Sequence, residues 1–209
     1  MTTKHQVHNL IILDESGSMS SIKGSIINGF NALLQTAKEM QLNFPEQEHI
    51  ITFLSFNSGN FTFHKFNESV RYLEPLNKKN YNPNGSTPLL DAIGKGITRT
   101  NELLKNVENY NVLVTILTDG EENSSQQFRG DSIKILVEVL STKRWTFTYV
   151  GTEHDVESIA DSLSIKNTMR WEKDDESMNM MFAKERSSRE AYFNNIKDNY
   201  NTSEDFYSK

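Results

Sequence analysis

Cysteine is absent from the 209-residue chain. That gap removes disulfides, thiolate metal ligands and thiol nucleophiles, so any metal or catalytic site must be built from oxygen or histidine. Basic residues are also short: 22 Lys and Arg stand against 28 Asp and Glu, for a net charge of -6. With no long basic block there is no cationic surface for a phosphate backbone, and nucleic acid is not an expected partner. No stretch approaches the ~18 apolar residues of a membrane span, and the polar residues 1–9 carry no apolar signal segment. The expectation is a soluble, cytoplasmic protein that makes no membrane contact.

Apolar residues make up 36% of the chain and charged residues 24%. The composition is polar, but the apolar residues are gathered into runs, which argues for a packed core rather than disorder. The length suits one domain, and there is no repeat, low-complexity tract or linker to divide it. We expect a single domain over 1–209, with a core at about 7–171, a C-terminal helical segment at 172–200 and a polar tail at 201–209.

The stretch 7–13 ends in the apolar run Leu10-Ile11-Ile12-Leu13, and a second apolar run lies at 112–117. Such runs fit strands buried on both faces of a parallel sheet. Each is followed directly by a polar stretch: Asp14-Glu15-Ser16-Gly17-Ser18-Met19 after the first, Thr118-Asp119-Gly120-Glu121-Glu122 after the second. Between them, Ile22, Ile26, Phe30, Leu33, Ala37 and Met40 recur at helical spacing. Residues 50–56 and about 61–70, separated by Asn57-Ser58-Gly59-Asn60, predict a hairpin whose second member is an antiparallel edge strand. Gly85-Ser86-Thr87-Pro88 leads into a helix carrying Leu90, Ile93, Ile97, Leu104 and Val107, with proline suited to the first helical turn. Gly94 and Gly96 inside that helix point to close packing on a neighbour.

Further on, Ile133, Leu136, Val137 and Leu140 predict a helix capped by Asp131. Residues 145–150 read as a strand, Val156 to Leu163 as a helix and 168–171 as a last strand. A Met-rich segment from Ser177 leads into a C-terminal helix, with Met178, Met180, Met181 and Phe182 expected in the core. Alternating strands and helices give an α/β fold, with a mostly parallel central sheet, one antiparallel edge strand and helices on both faces.

Open parallel sheets place ligands at the carboxyl ends of their strands, where both aspartates fall. If the chain stays extended beyond the first strand, Asp14, Ser16 and Ser18 share a face. Thr87 adds a hydroxyl and Asp119 a second carboxylate. Five hard oxygens suit Mg2+ or Mn2+, and Ca2+ less well because it takes more ligands. Two carboxylates neutralise one divalent ion, and an octahedral ion with at most five protein groups keeps a position open for an incoming carboxylate. Either polar stretch alone reads as a capped turn with locally bonded serines. Taken together, with Thr87 between them, they read as one site.

The set Asp14-x-Ser16-x-Ser18, then Thr87 in Gly85-Ser86-Thr87-Pro88-Leu89-Leu90-Asp91-Ala92, then Asp119 in Thr118-Asp119-Gly120, resembles the metal-ion-dependent adhesion site of the von Willebrand factor A family in order and separation. The resemblance covers about residues 7–171. It implies a Rossmann-like vWA domain with Mg2+ at the carboxyl edge, and a protein partner that donates an acidic side chain to the metal. It also implies that movement of the last helix can be linked to the metal site. The short form with Thr87-Pro88-Leu89 is most similar to bacterial cytoplasmic vWA proteins of the tellurium-resistance type.

Glu121, Glu122, Glu153 and His154 follow strands at the same edge. They are either solvated loop residues or a rim that selects the partner through charge. Enzyme readings find less support. A haloacid-dehalogenase-type phosphatase needs a second aspartate where Ser16 stands, a serine hydrolase needs a Gly-x-Ser-x-Gly elbow, and His5 and His8 face opposite sides of a strand. The expected function is therefore a non-enzymatic, metal-dependent protein-binding module. A Mg2+-dependent phosphate-ester hydrolase and a structural subunit with a purely stabilising metal remain the alternatives.

Overall fold

The structure is a computed structural model that describes residues 4–152, 156–198 and 205–207. The first apolar run forms β1 (His5–Asp14) and the second forms β4 (Tyr110–Leu117). Around them lie β2 (Gln47–Asn57), β3 (Asn60–Ser69), β5 (Trp145–Thr152) and β6 (Asn167–Trp171). Among the described residues these six strands make one sheet in the order β3-β2-β1-β4-β5-β6. Every neighbouring pair is parallel except β2 with β3, which form the expected hairpin. This is a Rossmann-like α/β fold. Its strand order reverses between β1 and β4, so the crevice for a ligand falls where those two strands end.

Alternation along the buried strands feeds two layers. Leu10, Ile12, Val112, Val114 and Ile116 pack against α2 (Leu89–Leu103), α3 (Gly130–Ser141) and α4 (Val156–Ser162). Ile11, Leu13, Phe53 and Leu117 face the other way, onto α1 (Lys23–Asn43) and α5 (Asp175–Lys197). The two helical glycines of α2 are explained by this packing. A Cβ on Gly94 would lie 2.4 Å from the Phe128 ring, and one on Gly96 would lie 3.2 Å from Ile12.

Several sequence expectations are corrected. Helix α3 starts from Arg129 without a side-chain cap, and Asp131 sits inside its first turn instead. The C-terminal helix begins at Asp175, ahead of Ser177, because the Asp174 side chain accepts from the Ser177 amide at 2.8 Å. Met178, Met181 and Phe182 are buried as expected, but Met180 is 67% exposed. At the end of the chain, Phe206 is buried against Tyr192 rather than lying in solvent. The hydroxyl of Tyr207 donates to Glu185 on α5 at 2.7 Å.

Candidate metal centre

Register brings the two aspartates together. Leu13 pairs with Leu117 across β1 and β4, so Asp14 and the Thr118-Asp119 segment leave the sheet side by side. The Asp14 side chain is fully buried. One of its oxygens accepts from the Ser16 amide at 2.7 Å and the other from the Thr118 hydroxyl at 2.6 Å. Ser16 Oγ lies 3.1 Å from Ser18 Oγ, and Ser18 Oγ donates to Asp119 Oδ1 at 2.6 Å. An unbroken polar chain thus runs from the first loop to the third.

The route by which the serines converge differs from the sequence expectation. Ser16 is extended, but the chain then turns into a 3-10 helix at Gly17–Ile22, so Ser18 is carried by a helical turn rather than by strand alternation. Thr87 joins from the second loop. Gly120 marks the meeting point: a Cβ there would lie 3.2 Å from Thr87 Oγ1, 3.6 Å from Ser18 Oγ and 3.8 Å from Asp14 Oδ2. Three segments distant in sequence therefore deliver oxygens to one small cradle, and only glycine leaves it open.

The loops are fixed by bonds that sequence reading did not supply. Tyr81 donates its hydroxyl to the Asp14 carbonyl at 2.7 Å. The Glu15 carboxylate accepts from Ser55 Oγ at 2.7 Å and from the Asn82 amide, so this acid braces the first loop against the second and against β2. Gly85 has φ +70°, a conformation suited to glycine, and accepts from the Gly17 amide at 3.0 Å. Thr87 donates its amide to Asn123 Oδ1 at 2.8 Å, and the Asn123 amide returns to the Thr87 carbonyl at 3.2 Å.

Of the four rim candidates, Glu121 is exposed beside the site. Glu122 is half-buried and committed to the loop itself. It accepts from the amides of Leu90, Ser124 and Ser125, which caps the start of α2 from the neighbouring segment. Glu153 and His154 lie outside the described residues.

Burial and like charge act together on the two aspartates. Burial pushes the Asp14 carboxyl up to about 6; hydrogen bonds from Thr118 and Ser16 resist the rise, and the charge of Asp119 adds to it. Asp119 Oδ2 is buried and makes no hydrogen bond. Lys173 Nζ stands 3.1 Å from it and supplies an opposite charge without a directed bond.

Comparison with known proteins bears on the fold. No family model matches the chain, and no curated protein does. Among solved structures it is similar to proximal thread matrix protein 1 from the mussel byssus, seen in two structures. They are 11% and 12% identical, with TM-scores of 0.54 and 0.56, over 86% of this chain in each case. The chain spans less than half of those proteins, 44% and 45% of their length.

The donor set fits a hard divalent ion. Among the described residues no three or more His, Asp or Glu side chains gather to hold a metal. Most protein ligands at the cradle would therefore be hydroxyls, added to two carboxylates. Oxygen-only donors with net charge near -2 match Mg2+ or Mn2+ better than Zn2+, which draws on nitrogen and sulfur.

Proposed function

We propose that the chain is a divalent-metal-dependent protein-binding module of the von Willebrand factor A type, which engages an acidic side chain of a partner through Mg2+. The observation that carries this reading is the convergence of Asp14, Ser16, Ser18, Thr87 and Asp119 around Gly120 at the strand-order reversal. When bound, the metal would offer an open coordination position to a carboxylate. The chain's own part is to hold the two aspartates close, orient the serines through the first-loop turn and keep the second loop clamped to the third.

Glu121, at the exposed lip, would repel or attract the partner's charges as it docks. The hydroxyls of Ser16, Ser18 and Thr87 are assigned to holding the metal rather than to attack, and on that assignment a binding role is preferred to phosphate-ester hydrolysis. The cytoplasm is the proposed location, and no helix of the described residues is long and apolar enough to cross a membrane.

The test is direct. Titration calorimetry should show Mg2+ binding that is lost in Asp14→Ala and Asp119→Ala. Pull-down from native lysate should then recover an acidic partner with Mg2+ and lose it with EDTA. Unchanged Mg2+ binding in both variants would rule the reading out, and metal-dependent turnover of a phosphate ester would replace it with the hydrolase.

A further inference from the structure

The turn from β6 into the start of α5 reads Glu172-Lys173-Asp174-Asp175-Glu176, a single cation among four acids. It is tightly built. The Glu172 amide donates to Ser177 Oγ at 2.7 Å, the Ser177 amide donates to Asp174 Oδ1 at 2.8 Å, and the Asp174 amide donates to the Glu172 carbonyl at 2.8 Å. Locked this way, the turn sends the lysine stem across the end of β5 to the carboxylate that follows β4. Nζ comes to 3.1 Å from Asp119 Oδ2. The Asp119 side chain is 0% exposed, while Lys173 keeps 32% exposure and so has an open path to solvent.

Charge neutrality limits what this pair can do. Asp14 and Asp119 together carry up to two negative charges in a buried cradle, and Lys173 balances one. A divalent ion balances both. Keeping the ammonium in place as well would leave an excess positive charge beside the metal, and Oδ2 has no other bond holding it to the lysine geometry.

We infer that Lys173 is a built-in counter-ion for Asp119 that competes with the divalent metal, so that metal entry expels the ammonium to solvent and Lys173 sets the metal affinity. This rests on the metal-binding reading above. It assigns to a residue outside the five-oxygen set the task of balancing Asp119 until an ion arrives.

The experiment compares the full chain with Lys173→Met and Lys173→Arg. In Mg2+ titrations Lys173→Met should bind about tenfold more tightly than the native chain, while Lys173→Arg, which retains the charge, should bind no more tightly. The gain should survive in about 0.5 M salt, because it comes from contact and not from a long-range field. A second measurement uses the native chain alone. The rate at which an amine-acetylating reagent modifies Lys173, read by mass spectrometry, should rise several-fold on adding Mg2+. It should already be fast without metal in Asp119→Asn.

Equal Mg2+ affinity in native and Lys173→Met protein, or acetylation of Lys173 indifferent to Mg2+, overturns the counter-ion assignment and leaves the metal site standing. Absence of Mg2+ binding in both proteins overturns both.

Discussion

At the scale of single residues, neighbours in sequence divide between holding the site and forming it. Asp14 turns into the cradle while Glu15, beside it, turns out to clamp Ser55 and Asn82. The same division separates Asp119, at the cradle, from Glu122, which caps α2. The five oxygen positions were legible because they sit in short motifs directly after apolar runs. Lys173 and Tyr81 were not, because each reaches the site through adjacency created by folding, and a lone lysine in an acidic turn has no distinguishing pattern; Thr118 lies inside a quoted motif, but its bond to Asp14 is set by the fold. Gly120 offers a sharp test of the cradle. In Gly120→Ala the new methyl would meet Thr87 Oγ1 at 3.2 Å and lie 3.6 Å from Ser18 Oγ. Mg2+ affinity should fall at least about tenfold, while thermal stability changes by less than about 1 kcal/mol. Affinity equal to the native chain's would mean that the ion does not sit there.

At the scale of elements, strands were easier to read than turns. β1 and β4 each contain an apolar run buried on both faces, at 10–13 and 112–117, a pattern that needs no knowledge of the partner strand. The 3-10 turn Gly17–Ile22 has no comparable signature, so the extended backbone expected at Ser18 is replaced by a helical turn. Helix α1 carries a pair of glycines that separate propensity from packing. A Cβ on Gly24 meets nothing within 4 Å, whereas one on Gly29 would lie 1.9 Å from the Phe182 ring of α5. Gly24→Ala should therefore stabilise the protein, by up to about 1 kcal/mol, through helix propensity alone. Gly29→Ala should destabilise it by about 1–3 kcal/mol through overpacking, and Phe182→Leu in the same chain should recover part of that loss. Urea melts of the native chain, Gly24→Ala, Gly29→Ala, Phe182→Leu and the double variant decide the matter. Additive effects of Gly29→Ala and Phe182→Leu would show that the two helices do not meet there.

At the scale of the whole molecule, the sheet has two chemically different ends. Its carboxyl end holds the paired aspartates, and its amino end holds buried histidines. His8 on β1 and His49 on β2 are 4% and 0% exposed. Burial lowers both to about 4 from 6.5, and the charge of Arg189 adds to the effect on His49. Arg189 is itself buried on α5, where it donates to Glu185, Asn9 and Thr115. The sign follows from proton binding. Between pH 6.5 and about 4 the unfolded chain takes up protons that the folded histidines refuse, so acidification costs stability, by about 3 kcal/mol per histidine when complete. Asp14 works in the opposite direction in metal-free protein. Its folded carboxyl, raised to about 6 from 3.8, binds a proton before the unfolded one does, and it offsets about one histidine over nearly the same window. Of these three groups the native chain therefore shows a net loss of about one histidine's contribution, about 3 kcal/mol, and a variant is needed to assign it to one ring. His49 is suitable, since neither ring nitrogen makes a hydrogen bond and the ring stands edge-on to Phe193 at 4.6 Å. In EDTA near pH 7, His49→Leu should match the native stability within about 1 kcal/mol. By about pH 4 it should exceed the native stability by about 3 kcal/mol, measured by denaturant melts across the range. A difference between the two proteins that stays constant with pH would show that His49 titrates alike in the folded and unfolded chain, and that the amino end of the sheet is open to water.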